Sequence, residues 1–159
     1  MKINLTKNYK HEIASIITAG FPFVVYKTIM GHLAYTQLAN PFCYIAFVFW
    51  FLALVDFIIN FLNFVFLIFK GKPFTDVCFL AFLFNFFKPK HKEDTDLWYH
   101  IGTAFDAMLS FSIVALVVGF NFFVYFVGHE VYFWNIATVF NVIGAGFFQV
   151  KNALINLKK

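Results

Sequence analysis

Apolar residues fall in five runs along the chain, separated by short polar or proline-containing stretches. A helix rises 1.5 Å per residue, so about 20 apolar residues cross a hydrocarbon core about 30 Å thick. On that measure 13–38, 42–69, 97–127 and 131–157 read as transmembrane spans. Pro22, Lys27 and His32 interrupt the first, and Pro22 is expected to kink or restart it. The second follows Asn40-Pro41, a natural helix start. The third is long enough to tilt, and Gly128-His129-Glu130 is the tight connection into the fourth.

The remaining run, 74–87, sits between lysines on both sides. Its length corresponds to about 21 Å of helix, too short to cross. It reads as a short interfacial or re-entrant helix, followed by a solvated loop at 88–96. The predicted fold is therefore an all-α integral membrane domain over 1–159. It is a four-span antiparallel helix bundle with the short helix between spans two and three.

Charge placement supports that threading. If 74–87 does not cross, eleven of the twelve lysines share one side with both termini, and only Lys27 lies elsewhere. Cytoplasmic loops carry such a lysine excess, so both termini are expected in the cytoplasm, at a bacterial inner membrane or an organelle membrane. The apolar stretch behind Lys2, Lys7 and Lys10 reads as a retained first helix, since no small-x-small cleavage site follows it. Trp98, Tyr99, Tyr132 and Trp134 open spans three and four, where amphipathic rings favour the headgroup level.

Composition narrows the function. Of 159 residues, 62% are hydrophobic and only 13% charged, against about 25% charged in soluble domains. This excludes a disordered chain, a nucleic-acid-binding domain and an ordinary cytosolic enzyme. The net charge of +4 does not signal nucleic acid, because the lysines cluster at the edges of apolar runs. There is no arginine, hence no bidentate clamp for phosphate. Cys43 and Cys78 read as free thiols, and His32, His100 and His129 as interfacial residues without metal or haem spacing. No cofactor and no metal are expected. The expected partners are the lipid bilayer and either further copies of the chain or other membrane subunits.

The candidate chemistry lies in polar residues inside the spans. Asp56, Asn60 and Asn63 share one face of the second. Asp106 and Ser110 recur on the third, and Asn141 and Gln149 belong to a three/four pattern on the fourth. Lipid cannot hydrogen-bond an amide or a carboxylate, so these faces should meet protein or water. Helix-packing glue accounts for the amides alone. The acids are different: a charged Asp at mid-bilayer costs at least about 2.5–3.5 kcal/mol and needs a partner, a proton or a wet path. By helical rise, Lys27 and Asp56 lie at similar depth, about 20 Å from the cytoplasmic ends of their spans. Asp106 lies somewhat nearer the cytoplasm, while Ser110 and Asn141 lie toward the outer half. A Lys27–Asp56 pair with Asp106 close by is one arrangement; a Lys27 that snorkels to the outer surface is the other.

Three functional classes follow. The first is a non-enzymatic subunit or accessory component of a membrane assembly. It fits the small size and the absence of HExxH, GxSxG, P-loop or Cys–His motifs. The second is a small oligomeric transporter or channel, its polar path lined by Asp56, Asp106 and the Asn/Gln stripe. The third is an intramembrane enzyme using the Asp pair.

Overall fold

The computed structural model describes residues 12–75 and 95–156, less the side chains of 95–100, 103 and 147–156. These residues are almost entirely helical, with no strand among them. Helix α1 runs Glu12–Gln37, α2 Ile45–Lys70, α3 Thr95–Gly119 and α4 Gly128–Asn156. Glu12–Gln37 and Phe42–Lys70 are long and apolar enough to cross a membrane. Of the short helix read at 74–87, only Phe74 and Thr75 are among the described residues; the 88–96 loop is described only at its last two residues.

Pro22 neither breaks nor sharply restarts α1. The helix widens instead into a π-helical stretch, Ile16–Gly20, and resumes α-geometry at Phe21 with the proline in its first turn. An α-helical proline collides with the carbonyl four residues back and has no N–H to give it. Widening the turn ahead of the ring relieves that clash, and a proline is tolerated in a first turn.

The other helix ends follow local chemistry. Helix α2 stops at Gly71, whose φ of 68° closes the helix with Gly71 N–H donating to Leu67 O at 3.2 Å. Helix α3 ends at Gly119, earlier than the 127 expected from hydropathy alone. Gly119 and the left-handed Asn121 (φ 54°) stop it, and a short 3-10 turn, Phe122–Tyr125, leads into α4. Glu130 anchors the start of α4: its Oε2 accepts from Val127 N–H at 2.9 Å in the return half of a capping box.

Side-chain contacts set the helix directions. Helix α2 runs antiparallel to α1, with Asn60 against Gly20, Asp56 on Lys27 and Trp50 against Gly31. Helix α4 is also antiparallel to α1, pairing Gly144 with Thr18, Thr138 with Tyr26 and Glu130 with His32. Helix α3 runs parallel to α1: Asp106 meets Lys27, and Phe122 beyond its end lies beside Leu33 and Gln37. Lys70 and Thr95 therefore lie at the same end of the bundle as Glu12.

The core near the other end is a cluster of Tyr26, Ile29, Leu33, Ile113, Val117, Trp134 and Ala137. Trp134, expected at the headgroup level, is 3% exposed. It packs on Tyr26 at 4.8 Å and edge-on to Phe123 at 5.7 Å, so its indole fills the space between α1, α4 and the 3-10 turn.

Helix α4 approaches α1 so closely that a Cβ on Gly144 would lie 2.4 Å from Thr18 Cβ, whereas one on Gly146 would meet nothing. Gly144→Ala should cost about 1–3 kcal/mol, the range for overpacking a filled contact. Gly146→Ala should be neutral or stabilising, by up to about 1 kcal/mol of helix propensity. Chemical unfolding of both variants in detergent micelles checks the pair, and equal effects would contradict the packing described.

Candidate functional site

Three ionisable residues meet at the centre of the bundle. Lys27 lies fifteen residues into α1. Asp56 is eleven residues from the start of α2, and Asp106 eleven from the start of α3. Each stands near the middle of its helix, and the helices alternate so as to bring the three to one level. Lys27 Nζ donates to both Asp56 Oδ2 and Asp106 Oδ1. The exposures are 1% for Lys27, 3% for Asp56 and 6% for Asp106, so all three are buried. Lys27 therefore points inward and does not snorkel along the surface. With both acids ionised the cluster carries one net negative charge.

A cavity of about 310 Å³ adjoins the cluster. Asp56 and Asp106 form part of its wall, and Lys27 does not reach it. From α1 the wall takes Ser15, Thr18, Gly20 and Phe23, most of them in or beside the π-helical turn. Asn60 of α2, Phe111 of α3 and Asn141 and Gly144 of α4 complete the parts that matter chemically. All four helices contribute. The space runs from the ion cluster toward the end of the bundle that carries Glu12 and Lys70. Asn141, expected toward the outer half, lies on this wall because the Gly144–Thr18 contact sets the register of α4 against α1.

Two amides on the wall have unmet bonding capacity. Asn60 is 2% exposed and donates Nδ2–H to Asp56 O at 2.8 Å, but its Oδ1 has no hydrogen-bond partner. A Cβ on Gly20 would lie 2.3 Å from that oxygen, so the glycine gives it room. Asn141 Nδ2 is also buried; it lies beside the Tyr26 hydroxyl without a bond of good geometry. Buried polar atoms are nearly always bonded, so each such atom calls for an explanation.

The other stripe residues have different places. Asn63 is buried but absent from the cavity wall. Its Oδ1 accepts from Phe74 N–H and Thr75 N–H, both at 3.0 Å, and so straps the chain beyond Gly71 back against α2. Ser110 is fully buried on α3, and its Oγ has no hydrogen-bond partner. Gln149 belongs to α4, and its side chain lies outside the described residues. Cys43 donates Sγ–H to Asn40 Oδ1 at 2.7 Å; Cys78 lies outside the described residues.

Sequence reasoning passed over two features. One is the α1 contribution of Ser15, Thr18 and Gly20, for which the signal was a set of small residues just ahead of Pro22. The other is a second polar tie, His32 Nδ1 to Glu130 Oε1 at 2.5 Å, near the opposite end of the bundle. It joins only two side chains, and no group of three or more His, Cys, Asp or Glu gathers as metal ligands among the described residues.

No protein-family model, curated protein or solved structure matches the chain. The reading of the site rests on its geometry alone.

The cluster makes a sharp stability prediction. Removing one partner of a buried ion pair costs about 3–5 kcal/mol, because the remaining charge is left uncompensated. Lys27→Met should destabilise the fold by that order. Lys27→Met with Asp56→Asn should recover part of it, and the further addition of Asp106→Asn most of it, a non-additive series expected of coupled residues. Unfolding midpoints for the four proteins test this; strictly additive losses would refute the cluster.

Proposed function

We propose that the chain is a small four-span membrane protein that binds and translocates a proton or other monovalent cation at the Lys27–Asp56–Asp106 cluster. The observation that carries the reading is a buried cluster of one lysine and two acids, net −1 when both acids are ionised, whose acids, but not its lysine, line a cavity walled by residues of all four helices. One proton or one monovalent cation brings that cluster to neutrality, and net buried charge is what a low-dielectric interior resists most. Lys27 then serves as a tethered counter-ion that holds the acids in place while the cavity is empty.

The membrane setting is supported by an inverted distribution of polarity. The buried set includes Lys27, Asp56, Asn60, Asn63, Asp106, Ser110 and Glu130. The exposed faces carry Phe47, Phe51, Leu54, Phe57 and Phe61 on α2, and Phe133, Ile136, Val139, Phe140 and Ile143 on α4. A soluble monomer rarely exposes an apolar patch beyond a few hundred Å². Two long apolar helices, alternating helix directions and the one-sided lysines support the same reading.

The same faces are also the support for the accessory-subunit reading, since a partner helix could cover them as well as lipid. The enzyme reading has less behind it. In an aspartyl pair the two carboxyls share a proton and face the substrate, whereas here Lys27 Nζ stands between them.

Two experiments test the proposal. Accessibility tags at Met1 and Lys159 should report the same side of the membrane and a tag at Gly128–Glu130 the other; opposite sides for the termini would end the four-span reading. Proteoliposomes on a solid-supported membrane, given concentration steps in protons, alkali cations and ammonium ions, should produce transient currents. Asp106→Asn should reduce these at least tenfold. Silence of the wild-type protein to every step would overturn the translocation reading.

A further inference from the structure

Proton binding alone leaves much of the cavity unexplained. A proton needs a carboxylate and no volume, and an alkali ion needs a close shell of oxygens. The space beside Asp56 and Asp106 is about 310 Å³, roughly ten times the share of one water in the liquid. Its wall is amphipathic. Its polar part comprises the two acids and Asn60, whose Oδ1 is buried without a partner. Its apolar part includes Phe23 and Phe111, an edge-to-face pair with centroids 5.8 Å apart.

Resting on the cation-translocation reading, we infer that the cavity is a binding site for a small organic monocation, an alkylammonium with N–H donors. The ammonium donates to the Asp56 and Asp106 carboxylates and to Asn60 Oδ1, and its alkyl body lies against Phe23 and Phe111. Each part of the wall then has a use. The single positive charge cancels the single negative charge of the cluster. The orphaned oxygen of Asn60, which is 2% exposed, gains the donor that the protein does not provide. The aromatic faces attract a cation and bury hydrocarbon. Gly20 leaves that oxygen in place, since a Cβ there would lie 2.3 Å from it.

The need for N–H donors separates this site from one that reads charge alone. An ammonium with hydrogen can bond Asn60 Oδ1; a quaternary ammonium of similar size cannot. The test is calorimetric titration of the full chain in lipid nanodiscs with n-butylammonium, tetramethylammonium and sodium chloride at constant ionic strength. Saturable n-butylammonium binding is expected, at least tenfold tighter than tetramethylammonium, and not displaced by sodium. Asn60→Ala should weaken it at least fivefold and narrow the preference over tetramethylammonium, the remainder resting on the two carboxylates, while leaving the ion cluster intact. Equal binding of the two ammonium ions by the wild-type protein, or displacement by equimolar sodium, would overturn the inference without recourse to any variant. So would absent binding in a protein that still gives proton or alkali-ion currents, and in that case the translocation reading survives. Absence of both binding and currents defeats the two together.

Discussion

The structure depends on the placement of one lysine. Lys27 is buried in the middle of α1, and nothing in an apolar bundle tolerates an ammonium there without anionic partners close by. Asp56 and Asp106 provide them from two different helices. The consequence reaches well beyond the three residues. Helices α1, α2 and α3 are held at one register, because sliding any of them by a turn, about 5.4 Å, would leave a charge unpaired. Hydrophobic packing alone would not impose that. Aromatic and branched side chains slide past one another at modest cost, while a buried charge does not. The cluster is better understood as a device for alignment than as a source of net stability, since desolvating three ions offsets much of their attraction.

Small residues complete what the charges begin. Gly20 admits Asn60, Gly31 admits the Trp50 ring and Gly144 admits Thr18, each at a distance that a Cβ would forbid. These contacts pull α2 and α4 onto α1 on either side of the cluster. Helix α1 is consequently the central element, touching each of the others, and its irregularity at Pro22 matters correspondingly. The wide turn at Ile16–Gly20 spoils regular packing on that stretch, and the cavity lies against it. π-Turns recur at functional sites.

Much of this was legible in the sequence, and what was not has identifiable causes. Hydropathy located the helices, because apolar runs of that length have no other economical structure. It misjudged the end of α3, since Phe, Val and Tyr continue past Gly119 and mask the stop that Gly119 and Asn121 impose. Counting rise per residue brought Lys27 and Asp56 to one depth. The same count set Asp106 nearer the cytoplasm; starting it at Thr95, where the helix begins, moves it only about 3 Å deeper, so helical rise alone does not account for its meeting with Lys27. Periodicity grouped Asp56, Asn60 and Asn63 on one face, yet it could not tell a wall residue from a strap. Asn63 turns to the backbone of Phe74 and Thr75, a contact made by chain beyond the helix and invisible to any helical pattern. Trp134 illustrates the same limit: its position near a helix start suggests a headgroup anchor, and only the partner helices make it core.

The two ends of the bundle differ in a way that bears on access to the cavity. Toward the Gln37 end, α1 and α4 are joined by the Tyr26–Thr138 hydrogen bond and the His32–Glu130 contact, with Trp134 packed between them. Glu130 also caps α4, so one carboxylate fixes both the helix start and its attachment to α1. The aromatic cluster of Phe122, Phe123 and Phe126 packs over the same region. Toward the Glu12 end there is instead a widened turn, small side chains and amide groups with unmet hydrogen bonds. A solute moving from the cluster toward the Gln37 end would have to part a packed aromatic core and a bonded pair. Moving the other way, it meets Ser15, Thr18, Asn60 and Asn141, which can hydrogen-bond to it. Among the described residues the fold therefore pairs a packed, bonded half with a half lined by small and hydrogen-bonding groups, and the division falls at the level of Lys27.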